Sequence, residues 1–310
     1  MENGSVKMDN ENSPNEHIPV LAEILAEHIS LPKDGIIVDA TVGYGGHSEM
    51  FGSTLGPEGL ILGLDVDEEC IKRAQVKLND LSCKVCLVRE NFRHFAKVAK
   101  SNRIEKVDFI LADLGFCSGQ LTDPKRGLSF QENMPLDMRL DSRRRKTAAD
   151  IVNKTDEKAL ADLIYEFGQE RASRRIARFI VEHRKTQQIR TTTQLAMIVC
   201  RALNQPAHGR RSKIHPATKT FQALRIAVND ELGSLREFLA AAPDMLKQGG
   251  TVAVISFHSL EDKIVKEDFK QNAKDALYEL ITKKPLTASR DEARQNPRAR
   301  SAKLRIAKRI

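Results

Sequence analysis

The sequence predicts an α/β protein, a mostly parallel sheet wound with helices and interrupted once by a long helical insertion. Three observations carry that reading. Through the first half, short apolar runs alternate with amphipathic stretches, the pattern of repeated βα units. After Asp113, strand-like runs then vanish for about a hundred residues, too long a span for a plain loop. Sheet-like alternation resumes near residue 220 and continues to the carboxyl end.

Taken in order, Met1 to Glu16 is polar and rich in Asn and Glu, without an apolar run. It reads as a disordered tail rather than a signal peptide, and the fold is expected to begin at residue 17. Strands are expected at Ile36 to Ala40, Leu60 to Asp65, Lys84 to Val88 and Val107 to Asp113. Helices fill the gaps at His47 to Leu55, Glu68 to Asn79 and Phe92 to Asn102, with Asp67 placed to cap the second through Ile71, Ala74 and Leu78. Residues 121–215 form the expected insertion, with loop-like starts at Gly119 to Gly127 and Gln205 to Lys213. The sheet domain, made of 17–120 and 216–310, then resumes with a helix over Thr220 to Leu246 and a strand over Thr251 to Ser256. A helix over Ser259 to Asn272 and a last strand over Lys303 to Ala307 complete it.

A chain of 310 residues, 41% hydrophobic and 30% charged, has enough apolar surface for a substantial core. Five irregularly spaced cysteines and no apolar stretch of membrane-spanning length point to a reducing cytoplasm. The net charge of +8 is concentrated: Leu121 to His215 holds 20 Lys and Arg against 11 Asp and Glu. Such a surplus reads either as a polyanion-binding face or as ordinary solvated helix surface. Cys83-Lys84-Val85-Cys86 lacks a second ligand pair and reads as buried strand, so no metal is expected.

Asp39-Ala40-Thr41-Val42-Gly43-Tyr44-Gly45-Gly46-His47 follows the first strand and opens a helix, the position of a nucleotide-type ligand. Alone, it reads equally well as an ordinary strand-to-helix turn. Asp65, at the end of the second strand and twenty residues beyond Gly45, supplies a carboxylate for the two hydroxyls of an adenosine ribose. Ser48 stands where a dinucleotide fingerprint has its third glycine, which disfavours a nicotinamide dehydrogenase. S-adenosylmethionine, which has no pyrophosphate, suits the loop better. Asp113 ends the fourth strand in Asp113-Leu114-Gly115-Phe116-Cys117-Ser118-Gly119-Gln120, at the edge where open sheets hold ligands; a turn-capping Asp is the plainer reading. Phe92, after the third strand, either flanks an adenine or belongs to the core.

From His17-Ile18-Pro19-Val20-Leu21 to Asn296-Pro297-Arg298-Ala299-Arg300-Ser301 the chain resembles the RsmH (MraW) family of cytosine-N4 methyltransferases. The resemblance rests on Gly43-Tyr44-Gly45-Gly46-His47-Ser48, Pro135-Leu136-Asp137-Met138-Arg139, His215-Pro216-Ala217-Thr218-Lys219-Thr220-Phe221-Gln222 and Ile255-Ser256-Phe257-His258-Ser259-Leu260-Glu261-Asp262. It implies a Rossmann-like class I S-adenosylmethionine-dependent methyltransferase whose inserted helical domain helps to recognise RNA. It also implies methylation of a cytidine N4 in the decoding region of 16S ribosomal RNA, as a monomer or homodimer. Carried over by position, cofactor contacts fall on Gly45, Gly46, His47, Asp65, Phe92, Asp113 and Gln120. One departure stands out, because family members usually show two serines and a proline where this chain has Cys117, Ser118 and Gly119.

Asp113 is the first candidate to accept the proton of the amine, with the backbone of Leu114 to Phe116 second. His258 either lines the base pocket and relays a proton or caps the next helix. Phe116, Phe130 and Phe257 are candidates to stack on a base. Arg143-Arg144-Arg145-Lys146 and Arg210-Arg211-Ser212-Lys213 are candidates for phosphate contact. Two alternatives stay open: the same fold acting on another RNA or a protein amine, and a noncatalytic RNA-binding or ribosome assembly factor that kept the fold.

Overall fold

The computed structural model describes residues 19–117, 119–120, 123–206 and 215–310. The expected amino-terminal tail and the Arg210 to Lys213 cluster lie outside the described residues.

Seven strands form one sheet in the order β3-β2-β1-β4-β5-β7-β6. They are β1 (Ile36–Asp39), β2 (Leu60–Asp65), β3 (Lys84–Arg89), β4 (Val107–Asp113), β5 (Leu246–Ser256), β6 (Tyr278–Leu280) and β7 (Lys303–Arg309). The first five run parallel, and β7 pairs antiparallel with both β5 and β6. Alternate residues feed two cores, as the two-residue period of a strand requires. Val38, Leu62, Ile110 and Val252 pack on one face, and Ile37, Ile61, Phe109 and Ala253 on the other. With both faces covered, the strands read as continuous apolar runs, which is why the four amino-terminal ones were legible.

On the amino-terminal side lie α1 (Ala22–His28), α2 (Gly46–Gly52), α3 (Glu68–Lys77) and α4 (Phe95–Ser101). Asp67 caps α3, as expected, by accepting from the Glu69 amide. The insertion holds α5 (Ala148–Lys154), α6 (Glu157–Gly168), α7 (Ser173–Thr186) and α8 (Thr192–Leu203). Thr147 and Thr191 close capping boxes at α5 and α8, satisfying amide groups that the first turn of a helix leaves unpaired. The insertion has its own core, built on Ile151, Leu160, Ile164, Ile176, Ile180 and Leu195. The expected α/β sheet with a helical insertion is therefore the architecture found.

Several expected bounds differ. The helix expected over Thr220 to Leu246 is two helices, α9 (Thr218–Asn229) and α10 (Glu231–Met245). Asp230 separates them in the left-handed region at φ 50°, and its carboxylate pairs with Arg93. Ala217, Phe221, Leu224 and Val228 pack into the core of the insertion, so α9 belongs with that body and the chain turns back to the sheet at Asp230 rather than at residue 216. β5 starts at Leu246 instead of Thr251: Leu246 pairs with Val107, the register then shifts across a bulge containing Gly249 at φ 83°, and regular pairing resumes at Thr251 with Phe109. Phe92–His94 is a 3-10 turn capped by Asn91, which delays α4 to Phe95. The elements α1, β6, α11 (Ser259–Lys274) and α12 (Arg290–Gln295) complete the sheet domain; of these only α11 was expected.

Candidate active site

A cavity of about 800 Å³ opens at the carboxyl edge of β1, β2 and β4, where the strand order reverses beside β1. Its floor is the turn between β1 and α2. Gly43 and Gly45 hold left-handed backbone there, at φ 52° and 85°. A Cβ on Gly45 would lie 3.2 Å from Leu78, which caps the end of α3, so a side chain there would press on that residue as well as strain the left-handed backbone. Beneath it Asp39, 2% exposed, accepts from the Ser48 hydroxyl at 2.6 Å and from the Thr41 amide at 3.3 Å. Ser48 therefore serves as an internal strut of the turn. Burial pushes the Asp39 carboxyl above its usual range, against the lowering effect of the Ser48 bond.

Asp65 stands at the cavity wall at the end of β2. Its carboxylate accepts from the Gly43 amide at 3.1 Å and the Asp67 amide at 2.8 Å, bridging the glycine turn to the start of α3. Desolvation nonetheless raises it to about 7, with neighbouring Asp67 and Asp39 adding to the rise. Each carboxylate oxygen keeps a lone pair beyond its one amide donor, which fits a ligand that brings hydroxyls. Gly46, His47, Phe92, Asp113 and Gln120 share the same cavity, so six of the seven residues expected at a cofactor line it, and Gly45 shapes its floor from behind. Phe92 also packs edge-on against Phe238 at 5.7 Å, combining wall and core. Gln120 is committed within the protein: its amide donates to Asp67 at 3.0 Å and its oxygen accepts from the Cys117 amide at 3.1 Å.

Asp113 ends β4. Its backbone amide donates to Thr41 at 2.7 Å and its Oδ1 accepts from the Gly115 amide at 3.2 Å, which fixes the carboxylate plane. Oδ2 lies 3.9 Å from His47 Nδ1. His47 Nε2 meets the Val20 carbonyl at 2.9 Å, and a carbonyl only accepts, so Nε2 carries a proton and Nδ1 faces Asp113.

The remaining walls are braced from behind by Arg126 and Arg225, which local patterns did not single out. Arg126 donates to Asp67 at 2.7 Å and to the Leu140 carbonyl at 3.0 Å, tying the ligand edge to the insertion. Asn229, buried at the end of α9, bonds both the Leu140 amide and the Met138 carbonyl and so holds Leu140, Asp141 and Arg144 at the rim. Half-buried Arg225 makes two 2.8 Å bonds to Glu231, and its guanidinium lies 4.4 Å over the Phe116 ring. Arg298 donates to the Phe116 carbonyl. Phe116 is thus the one stacking candidate that faces the cavity and is clamped from two directions.

Three expectations take a different form. Phe130 packs on His215 at 4.6 Å and Phe221 at 4.7 Å inside the insertion, away from the cavity lining. Phe257 packs on the second sheet core beside Gly115. His258 caps α11: its Nδ1 accepts from the Glu261 amide, Glu261 answers with a bond to the His258 amide, and Glu261 rather than His258 reaches the cavity. Of the cluster at Arg143, the Arg143 guanidinium pairs with Asp141 and Arg144 reaches the Val228 carbonyl, while Arg145 and Lys146 are exposed.

Cys83 and Cys86 pack toward opposite faces of the sheet, which excludes joint chelation. The fold does gather Asp65 with Cys70 and Cys117, and Glu231 with His258 and Glu261, groupings that linear spacing hides. At Gly119 a Cβ would fall 2.1 Å from the Tyr44 hydroxyl, so with Tyr44 in this position the loop has no space for a side chain there.

The sequence model of the MraW methylase family matches residues 14–310. A ribosomal RNA small subunit methyltransferase H from Acaryochloris marina is 46% identical over 294 residues, covering 95% of this chain and 94% of that one. The protein of the same name from Heliobacterium mobile is 43% identical over 310 residues, covering 95% and 99%. Among solved structures, Aeropyrum pernix fibrillarin with bound S-adenosyl-L-methionine is similar at a TM-score of 0.40 and 12% identity, over 92% of this chain and 72% of that one.

Proposed function

The chain belongs to the MraW methylase family, and from that premise we propose that it methylates the exocyclic N4 of a cytidine in the decoding region of 16S ribosomal RNA, using S-adenosylmethionine. The observation that carries the reading is the meeting of Asp65, the glycine turn and Asp113 around one cavity whose far rim is the basic insertion.

The residues fit the cofactor. Asp65, desolvated and at the cavity wall, would take the ribose hydroxyls, Phe92 would flank the adenine, and the Gly43 to Gly46 turn would allow the close approach of the chain. The bound cofactor supplies a methyl group on a positively charged sulfur. The amine of cytosine is a weak nucleophile because its lone pair is delocalised into the ring. Holding it in line is worth roughly 7–11 kcal/mol, so most of the catalysis falls to the walls that orient the base. Once it has taken the methyl group, the nitrogen would have a proton to shed. Asp113, held by Gly115, is the acceptor for that proton, with His47 Nδ1 behind it. Phe116, clamped by Arg225 and Arg298, is the ring available to the base.

The test is mass-spectrometric mapping of modified cytidines in ribosomal RNA from cells with and without the gene, joined to methyl transfer on assembled small subunits, bare RNA and protein fractions. Loss of one N4-methylcytidine is expected. An unchanged RNA map with methyl incorporation into protein would overturn the choice of acceptor.

The insertion offers a phosphate-binding face outside the expected clusters. Arg174, Arg175 and Arg178 project from α7 at helical spacing, all exposed, and Arg175 lies 5.9 Å over the Phe179 ring. Replacing all three with alanine is expected to weaken RNA binding whatever the sequence. The slope of log affinity against log salt should fall by about 0.7–0.9 for each phosphate that the protein no longer neutralises. Fluorescence anisotropy on a decoding-region RNA fragment at several salt concentrations checks this, and an unchanged slope would remove α7 from the interface.

A further inference from the structure

We propose that Cys117 and Cys70 form a thiol–disulfide exchange site, in which Cys117 attacks a disulfide that enters by way of the cofactor cavity and Cys70 resolves the adduct into an internal disulfide that closes the site. The two sulfurs lie 3.2 Å apart although 47 residues separate them in sequence. Both thiols are free. They occupy unequal positions: Cys117 is half-buried and lines the cavity, while Cys70 is buried in the first turn of α3 behind it.

That asymmetry assigns the roles. Cys117 is the sulfur that meets the cavity, and Cys70 lies behind it with its S–H donated to Cys117, placed to attack whatever Cys117 has bonded to. The bond to Cys117 and burial both push the Cys70 thiol up, in keeping with a resolving rather than an attacking group. A cavity of about 800 Å³ admits a small disulfide such as oxidised glutathione. The Cys117 thiolate attacks one sulfur of it, and the sulfur–sulfur bond breaks with release of one glutathione thiolate, which takes up a proton. Cys70 then loses its proton and attacks the Cys117 side of the mixed disulfide, releasing the second glutathione. Two protein thiols are oxidised and one glutathione disulfide is reduced to two thiols, so electrons and protons balance.

Closing the bond brings the sulfurs from 3.2 Å to the covalent length, a movement of about 1.2 Å. The Cys117 sulfur is also the nearest atom to the open side of Gly43, at 2.8 Å from where a Cβ would lie. Drawing it toward α3 therefore shifts the loop after Asp113 relative to the glycine turn. Gln120 already links that loop to Asp67 at the start of α3, so the crosslink lies along an existing seam.

The experiment exposes the reduced whole chain to oxidised glutathione and reads intact mass and peptide maps, a readout independent of any activity. Wild type should lose two hydrogen masses and two titratable thiols, with Cys70 and Cys117 joined. Cys70→Ser should instead stop at one glutathione on Cys117, and Cys117→Ser should take up neither. The second readout rests on the methyltransferase reading: oxidation should weaken S-adenosylmethionine binding at least tenfold in wild type, with recovery on reduction, should weaken it in Cys70→Ser through the glutathione held in the cavity, and should leave the affinity of Cys117→Ser within about twofold of its own reduced value. If all five thiols persist, or if wild type keeps a stable glutathione adduct without the internal bond, the proposal falls. Failure of the cofactor to bind even the reduced chain would instead count against the proposed function and leave the mass result to stand alone.

Discussion

Asp113→Asn is expected to lower kcat for methyl transfer by about 10²–10⁴-fold while S-adenosylmethionine affinity stays within about threefold. The split follows from what each oxygen does. Oδ1 accepts from the Gly115 amide, and asparagine can present a carbonyl oxygen to the same donor, so the loop keeps its shape. The second oxygen faces His47 Nδ1 at 3.9 Å and the cavity, and there the variant offers an amide that cannot take a proton from the amine of the substrate. Asp113→Ala removes the Gly115 anchor as well, so it should raise KM for RNA in addition to lowering kcat. Single-turnover methyl transfer beside a cofactor titration reads both quantities. Wild-type turnover in Asp113→Asn with normal cofactor affinity would shift the acceptor to the backbone of Leu114 and Gly115, since the Phe116 carbonyl is engaged by Arg298.

The sequence disclosed the parts of this site that obey local rules. Asp65 and Asp113 were legible because each closes a buried apolar run, and the carboxyl end of a parallel strand is where such a residue meets a ligand. The glycine turn was legible for a similar reason. Ser48 was visible only as a missing glycine; its bond to Asp39 needed the fold. Arg126 and Asp67 are 59 positions apart, and Phe116 and Arg225 further still, with no period to connect them. An amphipathic helix has the same pattern whichever core it joins, so α9 could not be assigned to the insertion before its partners were known. Phe130 illustrates the converse limit, because a phenylalanine before a basic stretch looks the same whether its ring faces a base or, as here, His215 and Phe221. His258 followed local grammar, heading a helix with Glu261 three residues on, and its structural role is the cap.

Cofactor affinity is expected to depend on pH through Asp65, weakening about tenfold per unit as pH falls below 7. The sign follows from which protonation state each form prefers. In the free protein, burial raises the carboxyl to about 7, so near neutrality a substantial fraction is protonated. Two ribose hydroxyls donating to the group favour the charged form and draw its bound-state value down. Binding therefore expels a proton between the two values, affinity rises with pH across that window, and it levels off above 7. Asp39 is also pushed up by burial, but it lies beneath the turn and outside the cavity lining, so it does not meet the ligand. Asp65→Asn should flatten the profile and, by replacing charge-assisted bonds with neutral ones, cost roughly 1.5–3 kcal/mol, or about 10–100-fold in Kd. Calorimetric titration of S-adenosylmethionine from acid to mildly alkaline pH, in buffers of different ionisation enthalpy, counts the protons released. A wild-type affinity independent of pH, matched by Asp65→Asn, would mean that this carboxylate does not grip the ligand.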